Sequence, residues 1–307
     1  MPKMLETSYI WKNKEIIPWN EAKIHVMTHA LHYGSAVFEG ILCRMTNKGP
    51  AIFRLKDHVK RLFNSAKIYR MEIPYTEEEI SQAIIELVKI NKIPDVYIRP
   101  IVFRGYKELG VNPLNCPVEV VVGAIKYVEY LSGADEGIKV CISTWRRPPS
   151  TSFPSIAKDA GKYALGQLIK MEAIERGFVE AIALTVEGNI SEGSGENIFV
   201  VSNQVLYTPP ISDGILPGIT RDSVIIIAKE LGIEVKEMSI PRSFLETADE
   251  VFFTGTWAGI TPIVAIENVK IGDGKIGPIT KEIRAVYDEI RFARSKKHME
   301  WLTFIQF

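Results

Sequence analysis

Little in this chain points to a specialised environment. It has no excess of charge, because 37 Lys and Arg balance 37 Asp and Glu to a formal net charge of zero. Nucleic-acid binders usually carry a basic excess or a basic face. The basic clusters here are short: Arg146-Arg147, and Arg294 with Lys296 and Lys297, which suits a solvated helix face. No apolar run approaches the roughly 18 residues of a membrane helix. The start of the sequence mixes Lys3, Glu6, Lys12 and Lys14 with no apolar stretch, so a signal peptide is not expected. Cysteine is scarce; Cys43, Cys116 and Cys141 are odd in number and form no CxxC pair. That argues against a disulfide framework and for a reducing compartment. GxGxxG, Walker A and GxSxG motifs are all missing, which weakens nucleotide-binding and α/β-hydrolase readings. The expectation is a cytoplasmic protein with neither a nucleic-acid nor a membrane partner.

What the chain does contain is ordinary globular material: 307 residues, 46% apolar and 24% charged, enough for two unequal domains. Helix-period and strand-period segments alternate, predicting a mixed α/β (α+β) fold. Residues 55–70 read as a helix with Leu55, Val59, Leu62, Phe63 and Ala66 on one stripe. Thr76-Glu77-Glu78-Glu79 is a capping box opening a helix through Ile90. Strands are predicted at 96–103, 118–125, 138–144, 181–186, 197–201 and 250–254. Helices are predicted at 163–176, stopped by Gly177, and at 220–231, stopped by Gly232. The Arg-Arg-Pro-Pro-Ser-Thr-Ser-Phe-Pro stretch reads as irregular. The expected division is a small α/β domain over 1–126, a linker over 127–137 and a larger domain over 138–307.

Three features could carry chemistry. Lys158 lies among small residues, Ser155-Ile156-Ala157-Lys158-Asp159-Ala160-Gly161, where an amine can be desolvated and made nucleophilic. Taken alone, a solvated loop lysine is the commoner outcome. The turns Leu216-Pro217-Gly218-Ile219-Thr220 and Gly255-Thr256-Trp257-Ala258-Gly259 could present backbone amides to an anion, the first at a helix start. Simple capping by Thr220 explains the first equally well. Glu192 sits in the Gly-rich turn 190–197, where a carboxylate could pair with a ring nitrogen or simply be solvated. A fourth pattern, His25-x3-His29-x2-His32, allows a zinc hydrolase as the reading from another class. Val26 stands where the metalloprotease motif has its general-base Glu, which argues against it.

Together these segments resemble the branched-chain amino-acid aminotransferases of the fold type IV pyridoxal-phosphate class. The similarity runs through Tyr9-Ile10-Trp11, 29–34, Val37-Phe38-Glu39-Gly40, Tyr97-Ile98-Arg99-Pro100 and Gly110-Val111-Asn112-Pro113. It continues in Ala157-Lys158, the Glu192 turn, 216–222 and Gly255-Thr256. The resemblance implies a pseudo-barrel larger domain and pyridoxal 5′-phosphate as cofactor. Lys158 would be the catalytic Schiff-base lysine, Tyr163 the phenol at the cofactor's O3′, and Glu192 the acid that keeps the pyridinium nitrogen protonated. Arg61, with Leu216, Gly218, Ile219, Thr220 and Thr256, would hold the phosphate side. Phe38, Gly40, Tyr97, Tyr127, Tyr130 and Tyr163 would line the pocket for a branched side chain. Tyr97 and the Thr256, Trp257 and Ala258 turn would meet the α-carboxylate, and Arg99 the second carboxylate of glutamate. Tyr33 and the Leu109–Val111 loop would come from a neighbouring subunit, making a homodimer, or a homohexamer of dimers, the active assembly.

The implied reaction is ping-pong transfer of the amino group from leucine, isoleucine or valine to 2-oxoglutarate. A D-amino-acid aminotransferase and an aminodeoxychorismate lyase of the same fold are the nearest alternatives; Tyr97-x-Arg99 and Gly110-Val111-Asn112-Pro113 favour the branched-chain enzyme. Four residues depart from the bacterial pattern: Leu42 for Arg, Trp257 for a small residue, Lys162 for Asn and Arg104 for an apolar residue. Lys162 is also a rival for the covalent lysine, with Tyr163 setting the register in favour of Lys158.

Overall fold

The computed structural model describes residues 5–127, 131 and 133–307. The chain divides into two compact units. The first comprises Met1–Val128, Ala157–Gly161 and Glu289–Phe307, and the second Glu129–Ile156 and Lys162–Asp288. The segment carrying Lys158 thus folds with the N-terminal residues, although it lies far along the sequence from them.

In the first unit an antiparallel sheet runs in the order Leu302–Phe304, Gly49–Phe53, Ile41–Thr46, Val96–Arg104, Val118–Lys126, Tyr9–Lys12, Glu15–Pro18, with Ala36–Phe38 also paired to Val96–Arg104. Alternation decides its two faces. Ile41, Cys43, Val96, Ile98, Val102, Val120, Val122 and Ala124 enter the core, together with Leu55, Val59, Leu62 and Ala66 of the Leu55–Ile68 helix and Ile80, Ile84 and Leu87 of the Glu77–Asn91 helix. Leu42, Tyr97 and Arg99 therefore turn to the other face; Leu42 and Tyr97 are direct cross-strand partners. The expected capping box is present: Glu79 N donates to Thr76 Oγ1 at 3.2 Å and Thr76 N to Glu79 Oε2 at 2.8 Å. Such caps contribute about 1 kcal/mol.

The second unit is built on a mixed sheet, ordered Val235–Glu237, Val205–Thr208, Asn197–Ser202, Glu250–Gly255, Gly259–Ile266, Ile138–Arg147, Glu180–Thr185. Glu180–Thr185 and Asn197–Ser202 are buried on both faces, so they read as runs and not as alternating patterns. Ile138–Arg147 extends past the predicted strand. Its pairing slips between Ile142↔Ile182 and Arg146↔Leu184, an irregularity that carries the Arg-Arg pair onward within the sheet. Glu172 of the Lys162–Glu175 helix holds the irregular stretch, accepting from Ser143 Oγ at 2.6 Å and Thr144 N at 3.0 Å. Arg147 ends up buried at the strand's end.

Candidate active site

In the first unit the chemistry gathers around Glu39. The Leu55–Ile68 helix carries His58, Arg61 and Ser65 at i, i+3 and i+7, a polar line flanking its apolar stripe. Glu39, fully buried after the strand Ala36–Phe38, accepts from Arg61 Nε at 2.7 Å and Arg61 Nη2 at 2.9 Å. His58 Nδ1 adds a third bond at 2.7 Å. Burial alone would raise the Glu39 pKa, but Arg61 and His58 outweigh it and hold the carboxyl well below the usual range. His58 is in turn pushed down by its burial, only partly offset by Glu39, and so stays neutral and donates.

Lys158 is tied into the same group by its backbone. Lys158 N donates to Ser65 Oγ at 3.0 Å, and Phe38 N donates to Lys158 O at 3.0 Å. The Lys158 ammonium lies 5.0 Å from the Phe38 ring centre. Burial first, then the charge of Arg61, lowers its pKa from 10.5 to about 8, with Glu39 opposing. Arg99 stacks its guanidinium 4.5 Å from the same Phe38 ring and donates from Nη2 to Tyr97 Oη at 3.1 Å. Tyr127 lies under the Arg44 guanidinium, 3.8 Å from its ring centre. Gly40 is required by this packing: an added Cβ would stand 2.0 Å from Tyr97 Oη. Gly40→Ala should therefore displace Tyr97 from Arg99 and cost about 1–3 kcal/mol in a denaturant melt.

In the second unit the 190–197 turn brings three buried charges together. Glu192 Oε1 is 3.2 Å from Lys162 Nζ and 3.4 Å from Arg147 Nε. Its Oε2 accepts from Leu216 N at 3.0 Å and lies 3.4 Å from Asn197 Nδ2. Burial would raise the Glu192 pKa, but Lys162 and Arg147 reverse that and keep it ionised. Asn197 Nδ2 also bonds Leu216 O at 2.9 Å, and Gly218 must lack a side chain because a Cβ there would sit 2.0 Å from Asn197 Oδ1. Gly218 then begins the Ile219–Glu230 helix with no side-chain cap, so the first-turn amides of Ile219 and Thr220 keep their positive end for an anion. Thr256, Trp257 and Ala258 form the three-residue turn between Glu250–Gly255 and Gly259–Ile266, closed by Gly259 at φ 63°. Tyr163 packs near Gly195, where an added Cβ would lie 3.8 Å from its ring.

Close to the turn is an acid pair, Glu180 and Glu196. Glu180 accepts from Lys170 Nζ at 2.8 Å and Ser194 Oγ at 2.9 Å, while Glu196 accepts from Gly195 N at 3.0 Å and has a buried Oε1 with no hydrogen-bond partner among the described residues. Burial, then the Glu180 charge, raises Glu196 to about 8. Because the folded state holds this proton more tightly than the unfolded chain, stability falls as pH rises between about 4.5 and 8. Glu196→Gln, which mimics the protonated form, should match wild type at pH 5. At pH 8.5 it should be more stable by on the order of 2 kcal/mol in urea melts.

Tyr33, Leu109 and Val111 are exposed at 45%, 54% and 82%, whereas Tyr130 lies outside the described residues. The histidines do not form a metal set. His29 bonds Ser35 Oγ and Gly110 O at 2.7 Å each, His25 Nδ1 accepts from Met27 N at 3.1 Å, and His32 Nε2 meets Val26 O at 3.0 Å. Among the described residues no group of His, Cys, Asp and Glu could hold a metal ion. Arg104 is buried, bonding Cys116 O and Arg70 O at 3.2 and 2.6 Å. Lys162 does not resemble a solvated lysine; it is buried against Glu192. Sequence reading gave no role to Glu39, His58 or Arg147. An acid between a buried strand and a glycine, and the i, i+3, i+7 spacing of His58, Arg61 and Ser65, were available signals for the first two.

Comparison with known proteins agrees with this chemistry. Residues 36–266 match the family described as amino-transferase class IV. A branched-chain-amino-acid aminotransferase of Salmonella typhimurium is 43% identical over 300 residues, and that of Escherichia coli K12 is 42% identical; each alignment covers 97% of both chains. The crystal structure of the Escherichia coli enzyme superposes with a TM-score of 0.96 at 42% identity, covering 98% of this chain and 100% of that one. The T.th. branched-chain amino acid aminotransferase complexed with N-(5′-phosphopyridoxyl)-L-glutamate superposes with a TM-score of 0.94 at 46% identity, with the same coverage. The chain belongs to the amino-transferase class IV family, with the mixed α/β fold type IV architecture of its branched-chain members.

Proposed function

We propose that this protein transfers the amino group of branched-chain L-amino acids to 2-oxoglutarate, with pyridoxal 5′-phosphate held at Lys158. The observation that carries the reading is Lys158, half-buried and fixed by Ser65 and Phe38 within the Glu39–Arg61 group, where desolvation and the Arg61 charge lower its pKa to about 8 and leave about a tenth of it a neutral nucleophile at pH 7. The donor set fits the cofactor. Arg61, aligned by Glu39, suits a phosphate, as do the uncapped amides at Ile219 and Thr220. Thr256 belongs with them. The buried, ionised Glu192 suits a ring nitrogen, with Leu216 and Gly218 shaping its surroundings, and Tyr163 suits the phenolic oxygen.

The chemistry supplied by bound pyridoxal phosphate is an aldehyde that captures amines and a ring that withdraws electrons from Cα. Lys158 would hold it covalently, and its freed amine would move the proton at Cα as general base. The resemblance assigns the α-carboxylate to Tyr97 and to the Thr256–Ala258 turn. Phe38, Gly40 and Tyr127 supply apolar surface for leucine, isoleucine or valine, a role the resemblance also gives to Tyr130 and Tyr163. Arg99, already stacked on Phe38 and donating to Tyr97, takes the second carboxylate of glutamate, so one pocket serves both side chains. The T.th. complex, which contains a glutamate adduct, and the names of the enterobacterial relatives support this substrate pair.

A homodimer is the minimum active unit in this reading, with Tyr33, Leu109 and Val111 supplied across the subunit interface; their exposure supports it. A cytoplasmic location is consistent with three free cysteines and with the lack of a helix among the described residues long and apolar enough to cross a membrane. The deciding measurement is glutamate release from L-leucine and 2-oxoglutarate, monitored by a coupled assay. Turnover of D-alanine with none of L-leucine would overturn the assignment.

A further inference from the structure

Lys162 and Arg147 give Glu192 more positive charge than a single carboxylate needs. Two buried cations, at 3.2 and 3.4 Å, face one oxygen of one buried carboxylate. Both cations are fixed independently of the carboxylate. Lys162 Nζ donates to Ser155 O at 3.2 Å and approaches Gly214 O at 3.5 Å. Arg147 Nη2 donates to Gly193 O at 2.6 Å and Ser194 O at 3.1 Å. Both converge on Oε1, whereas the neutral donors Leu216 N and Asn197 Nδ2 face Oε2. Arg147 divides its field between Glu192 and the Glu196 carboxyl. Lys162, 3.2 Å from Oε1, acts on Glu192 more strongly than Arg147 does, and it occupies the position where the resemblance expects an uncharged Asn.

We propose that Lys162 is a positioning residue: its ammonium fixes Glu192 as an anion and lowers the proton affinity of the cofactor's ring nitrogen that Glu192 meets. The inference rests on the assignment of Glu192 to that nitrogen. A positive charge in contact with Glu192 disfavours a proton anywhere on the Glu192–nitrogen pair, and disfavours it most on Glu192 itself. The pair then holds its proton on the ring, and releases it at lower pH than it would with Asn at 162. Electron withdrawal by the ring becomes pH-sensitive through a lysine that touches neither substrate nor the reacting atoms.

The test is ¹⁵N NMR of the holoenzyme reconstituted with ring-¹⁵N pyridoxal phosphate, titrated from pH 6 to 10. In Lys162→Met the ring nitrogen should keep its proton to a pH higher by about one unit or more than in wild type. Lys162→Arg, which retains the charge, should follow wild type. Coincident curves for wild type and Lys162→Met overturn the proposal. If Lys162→Met loses the cofactor, the ¹³C signal of the Glu192 carboxyl in the apoprotein decides. It should titrate at higher pH in Lys162→Asn than in wild type, and equal titration overturns the idea. Borohydride reduction of wild type, followed by peptide mapping, separates this result from the functional reading. A phosphopyridoxyl group on Lys162 in place of Lys158 would refute that reading whatever the titrations give.

Discussion

Replacing Lys158 with methionine should abolish transamination while making the apoprotein more stable at neutral pH. The loss of activity comes from two roles ending together. The variant cannot anchor the cofactor covalently, and it has no amine to move the proton at Cα. General-base removal alone costs about 10²–10⁴-fold, so kcat for L-leucine should fall by at least about 10³-fold, with partial recovery on adding methylamine. The fold should survive, because Lys158 is held by backbone bonds to Ser65 Oγ and Phe38 N that methionine keeps. Stability should rise because the folded state disfavours the charged amine, whose pKa drops from 10.5 to about 8. The sign follows from proton counts. Between about 8 and 10.5 the unfolded chain binds the proton that the folded chain has lost, so wild-type stability climbs with pH across that window. Below it the full penalty is present, of order 3 kcal/mol at most. Thermal melts of the two apoproteins should therefore differ at pH 7 and converge near pH 10.5. A variant that retains the visible cofactor band and turns over leucine normally would remove Lys158 from the mechanism.

That penalty explains why the Lys158 environment could not be read from its neighbours in sequence. Small residues around a lysine permit burial but do not cause it. The cause is the return of residues 157–161 to the first unit, where Ser65, Phe38 and Ala36 bind them, and no local period encodes that pairing. The Leu55–Ile68 helix was legible because its apolar stripe repeats at 3.6 residues, and the Thr76–Glu79 box because capping is local. Arg147 was hidden for the opposite reason. An Arg-Arg-Pro-Pro run reads as irregular, yet the shifted register after Ile142 keeps Arg147 within the strand and buries it against Glu192. Lys162 stood out only as a departure from a family pattern, and its role emerges from two carbonyls and a carboxylate that lie 7, 52 and 30 residues away in the chain. Charged residues carry no periodic signature of burial, so the structure supplies what the sequence pattern leaves ambiguous.

The second large effect is expected at Glu39, a residue that touches the phosphate-side arginine and not the reacting atoms. Glu39→Gln keeps the shape but removes the charge that three hydrogen bonds from Arg61 and His58 share. Breaking a buried pair leaves the partner charge uncompensated, which costs about 3–5 kcal/mol when one member is deleted; Arg61 is 11% exposed and escapes part of that, so a loss of about 2–4 kcal/mol is expected. The pH profile should change with it. Glu39 is held far below its ordinary value, and its contribution is therefore present above about pH 4.5 and is lost as pH falls. His58, pushed down by burial, adds a second loss on the acid side, beginning below about 6.5. Wild type should accordingly lose stability below about pH 6.5 through His58 and more steeply below about 4.5, where Glu39→Gln, which starts lower, lacks the Glu39 part of the loss. Arg61, no longer aligned by a bidentate partner, should grip a phosphate less well, raising the dissociation constant for pyridoxal phosphate by about tenfold or more at pH 7.5. Equilibrium dialysis measures that constant separately from catalysis. Unchanged cofactor affinity together with the expected loss of stability would restrict Glu39 to supporting the fold, and would place phosphate binding on the amides of the Ile219–Glu230 helix.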